Sequence, residues 1–113
     1  EGFGRGPAEA MYLGKPVIVT NYSGNTDFTL SENSCLVDYR LIPVGKDYYV
    51  FSAGQQWADP DEDHASWHMK TLASDPRQAQ EIGEKARAFI RSNFSPARIG
   101  TLYEERLRKL GLV

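Results

Sequence analysis

The sequence predicts an α/β fold: a short parallel sheet with flanking helices and a helical C-terminal tail. Two apolar runs predict the sheet. Val17-Ile18-Val19-Thr20 and Cys35-Leu36-Val37-Asp38-Tyr39 are rich in consecutive apolar residues, the pattern of strands covered on both faces. Their spacing gives the order loop, helix, strand, short helix, strand, the rhythm of a βαβ crossover in a doubly wound sheet. The tail is predicted by three helix-opening signals, Asp59-Pro60-Asp61, Asp75-Pro76 and Ser95-Pro96, each followed by a helical segment.

Each element has a local reason. Pro7 suits a first helical position, where its fixed φ and missing N–H cost nothing, and Ala8 to Leu13 continue with helix formers. Gly14 supplies the stop, and Lys15-Pro16 turns the chain into the first strand. Asn21-Tyr22-Ser23-Gly24-Asn25 reads as a polar turn, and Thr26 to Leu30 as a short helix. Between Leu41 and Asp59 the α/β rhythm breaks. There Tyr48-Tyr49-Val50-Phe51, flanked by Pro43-Val44-Gly45 and Ala53-Gly54, predicts an irregular hairpin or ordered loop. The next helix opens at Asp59-Pro60-Asp61, with acidic residues over its first turn, and runs to about Leu72 or Ala73. The following one carries Ala79, Ile82, Ala86, Phe89 and Ile90 on one face. The last carries a stripe of Ile99, Leu102, Tyr103, Leu107 and Leu110.

The composition is that of an ordinary soluble globular domain: 113 residues, 41% hydrophobic and 25% charged, with net charge −2. Lys and Arg are scattered, so no basic face for nucleic acid is indicated. Cys35 is the single cysteine, which excludes an intrachain disulfide and fits a reducing compartment; a cytoplasmic protein is expected. No apolar run approaches the ~20 residues of a membrane-spanning helix. The chain opens inside a glycine-rich loop with no initiating Met, and so reads as a fragment of a larger protein.

That opening segment, Glu1-Gly2-Phe3-Gly4-Arg5-Gly6-Pro7-Ala8-Glu9, carries the strongest chemical signal. Its closely spaced glycines let backbone N–H groups approach a ligand unobstructed. The helix start behind them offers free donors and partial positive charge, suited to a diphosphate or a sugar oxygen. A carboxylate one turn inside the helix is an acceptor placed for vicinal hydroxyls.

The segment resembles the E-x7-E signature of retaining GT-B glycosyltransferases of the family 4, or group 1, class. Glu1-Gly2-Phe3-Gly4, Glu9-Ala10-Met11, Gly14 and Pro16-Val17-Ile18 carry the resemblance. It continues through Gly24 to Phe28, Asn33 and Leu36 to Tyr39, and in less detail to Trp57-Ala58-Asp59-Pro60-Asp61 and the terminal helices. The resemblance implies a partial Rossmann-like sheet, the nucleotide-sugar-binding C-terminal domain of a GT-B enzyme. It implies that Glu1 faces the donor sugar as the catalytic carboxylate and that amides around Gly2, Phe3 and Gly4 contact sugar hydroxyls or diphosphate. Glu9 would hold the ribose. Arg5 stands where the family commonly has a hydrophobic residue, and either touches the diphosphate or points to solvent. The substrate implied is a nucleotide diphosphate sugar, without a metal or other cofactor. The acceptor would sit on a separate N-terminal domain, and the fragment alone would be inactive. A non-catalytic nucleotide-binding module, a structural α/β domain and another GT-B enzyme such as an epimerase are the competing readings.

Other residues are less specific. Gly24, Asn25 and Thr26 lie at the carboxyl end of a predicted strand, where they either line the donor pocket or form an ordinary turn and cap. His64 and His68 are four apart on one helix face near Asp61 and Asp63, but neither the Glu of an H-E-x-x-H motif nor a cysteine ligand is present, and a polar helix surface is expected. Cys35 reads as a small buried hydrophobe. Trp57, Trp67, Tyr48, Tyr49 and Phe51 fit sugar stacking and ordinary packing equally well. The final helix, with its stripe short of a partner, is expected to favour self-association.

Overall fold

A glycine in the left-handed region opens the first helix. In the computed structural model, which describes residues 2–113, Gly4 (φ 91°, ψ 58°) is the N-cap of α1, Arg5–Tyr12. Glu1 lies outside the described residues. Helix α1 therefore starts two residues before Pro7. This is tolerated because the first helical amide to bond is Ala8 N–H, which donates to Gly4 O at 3.1 Å, so Pro7 lacks only a donor that would have no partner.

The chain then enters β1 (Ile18–Thr20), a 3-10 turn at Ser23–Asp27, and β2 (Cys35–Val37). Strands β1 and β2 run parallel, pairing Ile18 with Cys35, Val19 with Leu36 and Thr20 with Val37. The expected short helix at Thr26 to Leu30 is thus an earlier 3-10 turn. The second strand ends before Asp38, which changes partners: its amide donates to His64 Nδ1 at 3.2 Å and its carbonyl accepts from Asp61 N–H at 2.8 Å.

From there an antiparallel hairpin forms, with β3 (Tyr39–Pro43) paired to β4 (Gln56–Pro60). The strand-forming run Tyr48 to Phe51 is the loop between them, and Asp59-Pro60 closes β4 instead of opening a helix. Helix α2 (Glu62–Ser74) starts one residue after Asp61, whose carboxylate accepts from His64 N–H at 2.9 Å. Helix α3 (Pro76–Asn93) is capped by Asp75 and α4 (Pro96–Lys109) by Ser95, as the Asp-Pro and Ser-Pro pairs predict.

The result is a mixed α/β fold with one parallel strand pair and one antiparallel hairpin among the described residues. The core gathers Met11 of α1, Val17, Phe28, and Ala86 and Ile90 of α3, with Ala8, Val19, Phe89 and Phe94 at its margin. Helix α3 packs on α1, and α2 packs on both parallel strands. Ile18, Val19 and Thr20 are only half-buried, where the apolar run predicted burial on both faces: among the described residues β1 is paired on one side only. Among the described residues, no helix is long and apolar enough to cross a membrane.

Candidate functional site

The glycine loop and the turn after β1, separate in sequence, meet backbone to backbone. A Cβ built on Gly24 would collide with the carbonyl of Gly2 and stand 3.1 Å from the amide of Phe3. On the same side, a Cβ on Gly4 would stand 3.3 Å from Asn25 Cβ. Gly24 therefore permits a contact that a side chain would block, and Gly4 one that a side chain would crowd.

Both loops are held from behind. The Phe3 ring packs on Phe28 (centroids 4.9 Å apart) and Phe94 (5.9 Å), anchoring the glycine loop to the core. Asn25 is buried. Its side-chain amide donates to Thr20 O at 3.0 Å, at the end of β1, and to Thr29 Oγ1 at 3.1 Å. Thr26 Oγ1 donates to Ser23 O at 2.6 Å. Ser23 itself sits at φ 74°, a left-handed conformation that serine seldom adopts and that only a well-determined turn sustains.

Where the loops meet, they border a cleft of about 470 Å³. Gly4 and Pro7 contribute the start of α1, Thr20 the carboxyl end of β1, Ser23 and Asn25 the turn, and Trp57 a residue of β4. The cleft thus lies beside the carboxyl end of a parallel strand and the N-terminal end of a helix, the usual place for anionic ligands in α/β folds.

The sequence-predicted residues divide in this geometry. Gly4 and Asn25 border the cleft; Gly2, Phe3 and Gly24 make the backbone contact between the two loops without lining it. Thr26 is an exposed residue of the turn and does not line the cleft. Arg5 and Glu9 do not line the cleft: they form an i,i+4 ion pair at 3.0 Å, with their side chains 88% and 64% exposed. An exposed pair of that kind is worth at most about 1 kcal/mol and is easily exchanged for another partner. Glu1 lies outside the described residues. Tyr22, Ser23 and Trp57 line the cleft without having been assigned to it from the sequence. For Trp57 the available signal was the break in α/β rhythm after Leu41, which marks the hairpin that carries it.

The two histidines do structural work. His68 Nε2 lies 3.1 Å from Leu36 O, and His64 Nδ1 accepts from Asp38 N–H, so both rings fasten α2 to β2 and its end. The rings stack at 4.5 Å. No cluster of three or more potential metal ligands occurs among the described residues. Cys35 is buried at the start of β2, and burial pushes its thiol pKa up.

Comparison with family models, curated proteins and solved structures finds no match for this chain.

Proposed function

We propose that the cleft between the glycine loop and the Ser23–Asp27 turn binds the nucleotide diphosphate sugar donor of a retaining glycosyltransferase. The observation that carries this is the backbone contact of Gly24 on Gly2 and Phe3, which brings two chemically suited loops to one cleft. In this reading the parallel pair belongs to a Rossmann-like sheet of GT-B type. Amides at the start of α1 neutralise the diphosphate, and this stabilises the leaving group as its charge grows. Glu1 faces the reacting sugar, and Glu9 exchanges Arg5 for the ribose hydroxyls. A separate domain presents the acceptor, and the chemistry calls for no metal.

Calorimetric titration of the chain with UDP, GDP and ADP tests the proposal: one of them is expected to bind, and Glu9→Ala to weaken it about ten- to a hundredfold. That range is the worth of a hydrogen bond to a charged group, roughly 1.5–3 kcal/mol. Undiminished affinity in Glu9→Ala would remove Glu9 from the site, and absence of binding to all three would remove the donor reading. In a complete enzyme, Glu1→Ala is expected to lower turnover more than donor affinity, since contacts at the reacting sugar strengthen in the transition state. Donor binding with no transfer in such an enzyme would favour the non-catalytic module.

A further inference from the structure

We infer that Trp57 is the stacking wall for the donor's nucleobase; the inference rests on the donor reading above. The cleft is lined by groups of unlike chemistry. The start of α1 and the Ser23 turn are rich in backbone polar groups suited to a diphosphate and sugar hydroxyls, and Ile18 and Val19 of β1 are apolar. Trp57 of β4 also lines the cleft, and it is 40% exposed. Trp57 carries the largest aromatic ring among the residues that line the cleft. Such a ring suits the planar part of a nucleotide, whereas the hydroxyl-rich sugar suits the polar groups.

Trp57 is also held in position. It lies in β4, opposite Ile42 of β3, and its ring meets that of Tyr48 edge-on at 5.7 Å. The hairpin is tied to the cleft turn by Tyr39, whose ring lies 5.0 Å from that of Tyr22, itself a cleft residue. The segment that interrupts the α/β rhythm therefore contributes an aromatic residue to the cleft.

The chain has two tryptophans, so Trp67→Phe leaves Trp57 as the sole indole reporter. Titration of that variant with UDP, GDP and ADP is expected to quench its fluorescence saturably, whereas glucose 1-phosphate leaves it unchanged. Trp57→Ala is expected to weaken nucleotide binding roughly ten- to a hundredfold, the usual effect of removing a base-stacking aromatic, and Trp57→Phe only a few-fold. Circular dichroism is the check that both variants fold, and the quenching measurement needs no change at Trp57. If calorimetry shows nucleotide binding while Trp57 fluorescence and Trp57→Ala affinity stay unchanged, the stacking role falls and the donor site stands. Quenching by glucose 1-phosphate instead of nucleotides overturns the base assignment. If the folded chain binds no nucleotide, both fall together.

Discussion

Gly24 lies where a methyl group has no room, because the backbone of Gly2 occupies the space its Cβ would need. Gly24→Ala must push the two loops apart, and overpacking of this kind typically costs about 1–3 kcal/mol. Urea denaturation should show that loss together with weakened nucleotide binding, because the displaced loops border the cleft. Stability unchanged from the parent would mean that the contact is looser than described. Cys35 illustrates the opposite case, a residue whose surroundings suppress its chemistry. Burial favours the neutral thiol, so at neutral pH it should react with a disulfide reagent far more slowly than a free cysteine and at the normal rate once unfolded. The sign for stability follows: the unfolded thiol ionises first, so stability declines as pH rises through the alkaline range, and Cys35→Ala should lessen that decline. Rapid labelling of the native chain would contradict the burial.

Among the elements, the helices owe their limits to single side chains. Asp75 ends α2 and caps α3, accepting from Gln78 N–H at 3.0 Å. Asp75→Ala should lower stability by about 1 kcal/mol, read as a shift in the denaturation midpoint at unchanged slope, while Asp75→Asn should restore most of it. Equal losses in both variants would point to charge instead of capping. The α2–β2 junction depends on more distant partners. The imidazoles of His64 and His68 meet the backbone of Asp38 and Leu36, residues 26 and 32 positions away. That the two histidines share a helix face is legible in the sequence; that this face meets β2 is not.

The whole molecule is flat and open, with extents of 50 × 45 × 17 Å. Its radius of gyration is 17.3 Å, against about 13 Å for a compact domain of this length. Its accessible surface of 8247 Å² exceeds the roughly 6,200 Å² of a typical monomer of 12.7 kDa by about 2,000 Å². Much of the exposed area is apolar. On α4, Leu102, Tyr103 and Leu110 are 42%, 68% and 52% exposed, and in the hairpin loop Tyr48, Tyr49, Val50 and Phe51 are each at least 70% exposed. Among the described residues strand β1 also has an unpaired edge, a template for another strand. At micromolar concentration the chain is therefore expected to self-associate, giving twice its monomer mass or more by light scattering after size exclusion. A clean 12.7 kDa species would show that these surfaces are tolerated in water.

What the sequence determined by itself was whatever depends on neighbours a few residues apart. Asp75 and Ser95 cap their helices, α3 buries Ala86 and Ile90, and the glycine loop leads into α1. These follow from hydrogen bonds and side-chain spacing within one or two turns, and chain connectivity guarantees such contacts. The tertiary structure alone decided which distant segments meet. Residues with strand propensity at Tyr48 to Phe51 lost the pairing to Gln56–Pro60, because the register from Tyr39–Pro43 leaves the aromatic run as the connecting loop. The same long-range pairing carries Trp57 to the cleft, and the open edge of β1 leaves half-buried a strand whose composition suits full burial. Apolar composition records that a residue tends to leave water, whereas the surface that covers it is set by pairing and packing between remote parts of the chain.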